Sequence, residues 1–509
     1  MTDVMGPVSL AMSHQASMDM LEQELGPYYY KLTPATLAYK ISQGDWEPAH
    51  HLLYISAILA HKIAKGGARI IISMPPRHGK SELTSVWTPV WILDRFPDKQ
   101  IMSISYGADL AEEFGQRVRD IIQEDADPID GAKLLNPECY VRKDSARVNR
   151  FLTVAGGGMR SVGLGGAVYG RGADILLLDD YYKNLEEAMS QEKRKKVWDW
   201  FRTVARSRLH KNGSIIVIAT RWDVEDLSAQ LLEMTGSRYE EIRLPAFAEA
   251  NDPLGRKPGE ALWPGHFPED DLNELKEGMG NFLWSSIYQQ SPKKISSDIF
   301  QREWIHEVDV LPHYTRLRLL RSWDKAGTDK KDGGDPDYTC GLKMAVDIET
   351  GNTYLIDMIR GQWSPGKVEK IMQAAGEDDG IATEQLVEEE PGSSGKASAE
   401  RDVGQVFKGL NARSVRHSGD KFVRALPFFA AAEHGKIFML RGPWNEEFLD
   451  ECVAFPLGIH DDQVDVASQG YNHFHSKKKR AGTWGRTDVA SERKPGSGRV
   501  ITGVTWGRD

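Results

Sequence analysis

The sequence predicts an α/β protein of two lobes, the first a parallel-type sheet carrying a phosphate-binding loop and the second a mixed α/β lobe carrying dispersed carboxylates. Three observations carry this reading. The apolar run Ile70-Ile71-Ile72-Ser73 leads into Met74-Pro75-Pro76-Arg77-His78-Gly79-Lys80-Ser81, and residues 82–93 follow with a helical pattern. A second apolar run, Ile175-Leu176-Leu177-Leu178, ends in Asp179-Asp180. In the second half Asp324, Glu388 and Asp461 stand at or just beyond the ends of short strand-like or helix-like segments.

Strand, tight loop ending Gly-Lys-Ser, then helix is the order that cradles nucleotide phosphates, because loop amides and the helix N-terminus point at the anion. Here Arg77, His78, Gly79, Lys80 and Ser81 form the expected nucleotide contacts. Lys80 would reach the β- and γ-phosphates and Ser81 would sit on Mg²⁺. Met74 stands where the usual G-x-x-x-x-G-K-[ST] pattern has its first glycine. Ahead of the loop, Trp46 with His50 and His51 could clamp an adenine edge or simply pack.

Strand candidates then alternate with helical stretches: 100–106, the amphipathic 110–122, 174–178, 214–219 and a weaker run at 239–245. Such alternation argues for a parallel sheet covered by helices. A buried strand that delivers Asp179 and Asp180 at its C-terminal end places them beside the loop, where open α/β sheets bind ligands. Asp179 is the expected Mg²⁺ ligand, through water, and Asp180 the group that orients or deprotonates the attacking water. Thr220, ending the next strand, is placed to sense the γ-phosphate. The glycine-rich stretch 155–172 allows tight turns. It offers Arg171 and Arg160 as charge-stabilising fingers, with Arg77 a third candidate.

A proline-punctuated stretch, 288–312, reads as a connector. Beyond it, 318–323, 340–347, 353–358 and 383–387 read as strands, and His460-Asp461-Asp462-Gln463-Val464-Asp465 opens a helix. Asp324, Glu388 and Asp461 are the expected first ligands of two Mg²⁺ or Mn²⁺ ions, hard cations that prefer oxygen. Asp462, Asp465, Glu390 and Asp337 are alternatives, and His460 and Lys396 could contact a scissile phosphate. Two such ions can stabilise both the attacking and the leaving oxygen of a phosphodiester displacement. The expected divisions are 1–45, an N-terminal segment; 46–290, the phosphate-loop domain; 291–315, a linker; 316–474, the nuclease-like domain; and 475–509, a basic tail.

Composition sets the bounds. A chain of 509 residues exceeds one core, at a prior of roughly 150 residues per domain. No apolar run reaches the ~20 residues that span a bilayer, and residues 1–25 do not read as a secretion signal. Cys139, Cys340 and Cys452 have no paired spacing, which argues against a disulfide framework or a zinc site and fits a reducing cytoplasm. Net charge is −10, yet residues 475–509 hold nine Lys/Arg against three Asp/Glu, so the tail is +6 and the remainder −16. Any grip on a polyanion would then be a local basic stripe and not a global field.

Together these segments resemble the large terminase subunit of tailed double-stranded DNA bacteriophages. The resemblance runs through Pro75 to Ser81, Ser105-Tyr106 with Asp109-Leu110-Ala111, the glycine-rich hairpin, and Gly170-Arg171-Gly172-Ala173-Asp174. It continues through Asp179-Asp180 with Lys183-Asn184, and Thr220-Arg221-Trp222. In the second half it rests on Asp324, Glu388 with Pro391-Gly392 and Gly395-Lys396, Asp420-Lys421 with Arg424-Ala425, Gly435, Phe455-Pro456 and His460-Asp461-Asp462. It implies an additional-strand P-loop ATPase followed by an RNase H-like nuclease, using ATP and Mg²⁺, with Mn²⁺ possible at the nuclease site. It also implies a homo-oligomeric ring of five subunits on a capsid portal protein, a small terminase subunit that selects viral double-stranded DNA, and a place in the host cytoplasm with no membrane. Asp180 departs from the Glu usual at its position, and Glu388 competes with Glu390 for the second nuclease ligand. A rival reading, a cellular repair helicase-nuclease, needs a ladder of helicase motifs that the sequence lacks.

Overall fold

The computed structural model describes residues 14–125, 131–166, 172–234, 236, 238–294, 299–326, 336–389, 393–416 and 419–476. The calls on Arg171, Glu390 and the tail from 477 fall outside these residues, as does most of the Asp/Gly-rich loop at 327–337.

The first sheet has eight strands: β1 (Arg69–Ser73), β2 (Gln100–Ser105), β3 (Val141–Arg147), β4 (Arg150–Thr153), β5 (Gly158–Gly163), β6 (Ala173–Asp179), β7 (Leu209–Ala219) and β8 (Glu240–Arg243). Their order is β3-β4-β5-β2-β6-β7-β1-β8. All pairs from β5 to β8 are parallel. The edge β3-β4-β5 is antiparallel, because the turn at 154–157 is too short for a crossover. Strand β7 lies between the loop-bearing β1 and the acid-bearing β6. This is the additional strand that the resemblance implies.

The central strands are apolar on both faces, as a sheet covered twice requires. Ile70 and Ile72 enter one core with Ile175, Leu177, Ile216 and Ile218, while Ile71, Leu176, Leu178, Ile215 and Val217 enter the other. The period of two along each strand produces this division. The helix His50–Lys65 covers the first face with Leu52, Ile55, Leu59 and Ile63, a stripe at helical spacing.

The second sheet comprises β9 (His306–Val308), β10 (Leu317–Asp324), β11 (Thr339–Asp347), β12 (Thr353–Gly361), β13 (Thr383–Glu388), β14 (Ala412–Val415) and β15 (Ile437–Leu440), in the order β14-β13-β10-β11-β12-β15-β9. Strands β10, β11 and β12 form an antiparallel meander. The outer strands join it in parallel. Strand β9 corrects the sequence reading, which placed these residues in a connector. Three residues pair with β15 on one side only, too short a stretch to stand out beside nearby prolines. Ile299, Phe300 and Ile305 are buried in the second core as well.

The helices Lys421–Glu433 and Asp462–Ser476 pack on each other, the latter against β10 and β11. The helical stretch Glu269–Ile287, kinked at Gly280 (φ 76°), reaches from the first lobe onto Lys421–Glu433. A Cβ on Gly280 would lie 2.9 Å from that of Ala430, so a glycine allows the close approach. Phe282 meets Phe422 edge-on at 5.5 Å, and the Asn281 amide donates to Glu433 Oε2 at 2.9 Å.

Candidate active sites, a nucleotide cleft and an acidic cluster

The loop after β1 closes over a cleft of about 370 Å³ lined by Pro76, Arg77, Gly79, Lys80, Ser81, Glu82, Tyr106, Asp180, Tyr182, Lys183, Thr220 and Trp222. Left-handed backbone falls at Arg77 (φ 63°) and Gly79 (φ 80°) and not at Met74, whose side chain is buried. The missing first glycine is therefore no obstacle. A side chain at Gly79 would also strike Leu52, 2.9 Å from its Cβ position.

Lys80 is 5% exposed, and its Nζ donates to Thr220 Oγ1 at 2.7 Å and Asp180 Oδ1 at 3.0 Å. Ser81 Oγ donates to Asp179 Oδ1 at 3.1 Å and Ser85 Oγ to Asp179 Oδ2 at 2.6 Å. Burial and neighbouring Asp180 push the Asp179 carboxyl above the usual carboxylate range, opposed by Lys80 and both serines. Ser85 was not singled out in the sequence, although it lies four residues after Ser81 on a helical turn and so shares its face. Asp180 holds φ 44°, an uncommon conformation for a non-glycine residue. The strand tips of β1, β6 and β7 thus bring Lys80, Ser81, Asp179, Asp180 and Thr220 together. Ser81 and Asp179 supply adjacent hard oxygens that fit a magnesium ion.

Two expected contacts are corrected. The His78 ring turns inward, stacks on Phe267 at 4.6 Å and bonds Pro76 O at 2.8 Å, so only its backbone belongs to the loop. His51 Nε2 meets His78 O at 2.9 Å. Burial lowers His51 to about 3 and His78 to about 4. Trp46 packs on Trp87 at 6.4 Å against the first core and does not line the cleft, because an apolar ring finds more buried surface there. Arg160 lines a separate small hollow with Arg150 and Gly172, whereas Arg77 lines the cleft.

Beyond Thr220, the Arg221 amide donates to Gln290 Oε1 at 3.0 Å. Its guanidinium bonds Asp226 at 2.8 Å and Glu241 at 3.2 Å.

In the second lobe, Trp323 and Val387 are paired on parallel strands, so the next residues along, Asp324 and Glu388, end adjacent strands. Burial raises the Asp324 carboxyl well above its ordinary range, reinforced by Glu388, Asp465 and Asp462 and opposed by Lys421. Burial also raises Asp462 to about 6, although it accepts from the Tyr338 amide at 3.1 Å. Lys421 Nζ bridges Asp461 at 2.8 Å and Asp465 at 2.7 Å. Arg424 bridges Glu388 at 3.1 Å and Asp465 at 3.2 Å.

The structure therefore gathers Asp324 and Glu388 with the turn that opens Asp462–Ser476. Within that turn Asp465 and Asp462 press on Asp324, while Asp461 joins through Lys421. Asp465 is 5% exposed and faces inward, whereas Asp461 is more open to the surface and joins the cluster through Lys421. Glu389 turns away to Ser414 Oγ at 2.6 Å. Lys396 is exposed beside Glu400, 3.7 Å away, and His460 packs edge-on against Tyr338 at 4.9 Å. The all-oxygen donor set suits magnesium or manganese. As the side chains stand, no three acids among the described residues are posed around one ion.

A P-loop sheet with an added strand, joined to a seven-stranded sheet ending in clustered acids, defines a two-lobe ATPase–nuclease. The family model described as terminase large subunit, T4likevirus-type, N-terminal, matches residues 71–307, and the terminase RNaseH-like domain model matches 321–474. The chain belongs to the large terminase subunit family, the ATPase–nuclease of a phage DNA-packaging motor. No curated protein matches it.

Among solved structures, a large terminase of a thermophilic bacteriophage is 12% identical, with 81% of this chain and 94% of that one covered and a TM-score of 0.46. A Thermus phage large terminase ATPase domain is 15% identical, covering 52% and 100%, TM-score 0.35. The human cytomegalovirus terminase nuclease domain is 11% identical, covering 37% and 97%, TM-score 0.28. No residue role follows from likenesses this distant.

Proposed function

We propose that this chain hydrolyses ATP to drive double-stranded DNA into a procapsid and cuts concatemeric DNA at a two-metal site. The observation that carries the reading is the convergence of Lys80, Asp180 and Thr220 in one cleft, on the same polypeptide as the Asp324–Glu388 cluster. Lys80 would hold the β- and γ-phosphates, Ser81 and Asp179 the magnesium ion, and Asp180 the attacking water. Thr220 would register departure of the γ-phosphate through its bond with Lys80. Arg77 is the finger candidate that lines the cleft. In the other lobe Asp324, Glu388 and the Asp461–Asp465 turn would hold two Mg²⁺ or Mn²⁺ ions. Bound there, the ions supply Lewis-acid stabilisation of the attacking and leaving oxygens. Phosphate and metal contacts do not read base edges, so cutting has little sequence preference.

The family supports the rest of the assembly: a ring, five subunits in our reading, docked on the portal protein and fed viral DNA by a small terminase subunit in the host cytoplasm. Among the described residues no helix is long and apolar enough to cross a membrane.

Two substitutions test the two halves separately. Lys80→Ala is expected to lower DNA-stimulated ATP hydrolysis by at least about a hundredfold and leave plasmid cleavage intact. Asp324→Ala is expected to abolish plasmid cleavage in Mg²⁺ or Mn²⁺. Undiminished hydrolysis in the first, or undiminished cutting in the second, would overturn the corresponding half.

A further inference from the structure

Resting on the nuclease reading, we propose that Lys421 and Arg424 are built-in counter-cations: they hold the carboxylate cluster shut until metal enters, then turn to the DNA backbone. The two residues are three apart on the first turn of the helix Lys421–Glu433 and so share a face. Between them they engage Asp461 Oδ1, both carboxylate oxygens of Asp465 and Glu388 Oε1. Those carboxylates are among the ones the nuclease reading gives to the metal ions, so the ammonium and guanidinium compete with an incoming divalent ion for them.

The two heads differ in freedom. Lys421 is half-exposed and rides a flexible stem, so it can swing out into solvent. Arg424 is more enclosed, and its Nε is buried with no hydrogen-bond partner among the described residues. With metals bound to the acids, both cations would remain on the same helical turn, free to pair with a phosphodiester brought to the site. One turn of helix thus guards the empty site and grips the occupied one.

The test is Mn²⁺ titration of the full-length chain by isothermal calorimetry, without nucleotide or DNA, using Asp324→Asn to identify the heat that belongs to the cluster. Lys421→Gln and Arg424→Gln are each expected to bind Mn²⁺ tighter than wild type, on the order of tenfold for one removed competing charge. Circular dichroism melting establishes that each variant folds, and either variant alone suffices. Equal or weaker Mn²⁺ binding would overturn the proposal and leave the pair as structural ties. If Asp324→Asn and wild type titrate alike, the nuclease reading itself fails, which is a distinguishable result. The second half is read from binding of a short duplex in Ca²⁺ at several salt concentrations. Each variant is expected to bind more weakly and with a log–log salt slope shallower by about 1. An unchanged slope would overturn the grip on DNA.

Discussion

At the scale of single residues, the most exacting positions lie behind the phosphate loop. His51 and His78 are buried, each with one ring nitrogen partnered by a backbone carbonyl, and burial lowers them to about 3 and about 4. Both are therefore neutral in the folded protein at neutral pH. An unfolded chain protonates them near pH 6.5. The folded state binds fewer protons, so the stability they help to preserve is present above that pH and lost as pH falls toward 4. Each is expected to remove roughly 1.4 kcal/mol of ATPase-lobe stability per pH unit across this window. Melting temperatures measured from pH 7.5 downward should decline more steeply in wild type than in His51→Gln; parallel curves would contradict the assignment. The sequence marked His78 as a nucleotide contact because it lies inside the motif. It could not reveal that Phe267, nearly two hundred residues away, provides a ring for it to stack on.

At the scale of elements, strands deliver the chemistry and their packing sets its precision. Strand β10 ends at Asp324, and the preceding Trp323 is fully buried, its Nε1 donating to Gln385 Oε1 at 2.9 Å. Gly341 on β11 sits opposite Trp323, and a Cβ there would lie 2.3 Å from the indole ring. Gly341→Ala should push the ring and tilt the end of β10, costing about 3 kcal/mol of nuclease-lobe stability. Denaturant unfolding followed by tryptophan fluorescence checks the cost, and plasmid cleavage should fall while ATP hydrolysis persists. Most of the strands that carry site residues were legible, because runs such as Ile70-Ile71-Ile72 and Ile175–Leu178 announce burial on both faces. The three residues of β9 were not, since one-sided pairing of so short a piece leaves no periodicity to read. The cluster was half legible: a strand-end Asp324 and Glu388 suggested convergence, but whether Asp461 or Asp465 turns inward depends on the rotation of a helix that spacing alone does not give.

At the scale of the molecule, two separately cored lobes touch through the helix Glu269–Ile287, which lays Gly280 and Phe282 against Ala430 and Phe422. Phe282→Ala is expected to cost about 2 kcal/mol and to separate the melting of the lobes in calorimetry; an unaltered single transition would show that this contact does not bind their stabilities together. The far end of the same helix runs into Gln290, the residue whose side chain holds the Arg221 amide. Any recoil of the β7 tip as phosphate departs would tug on the base of the arm leading to the other lobe. A lone side-chain amide, buried and fixed in length, is thus where a chemical event in one half could first become displacement in the other.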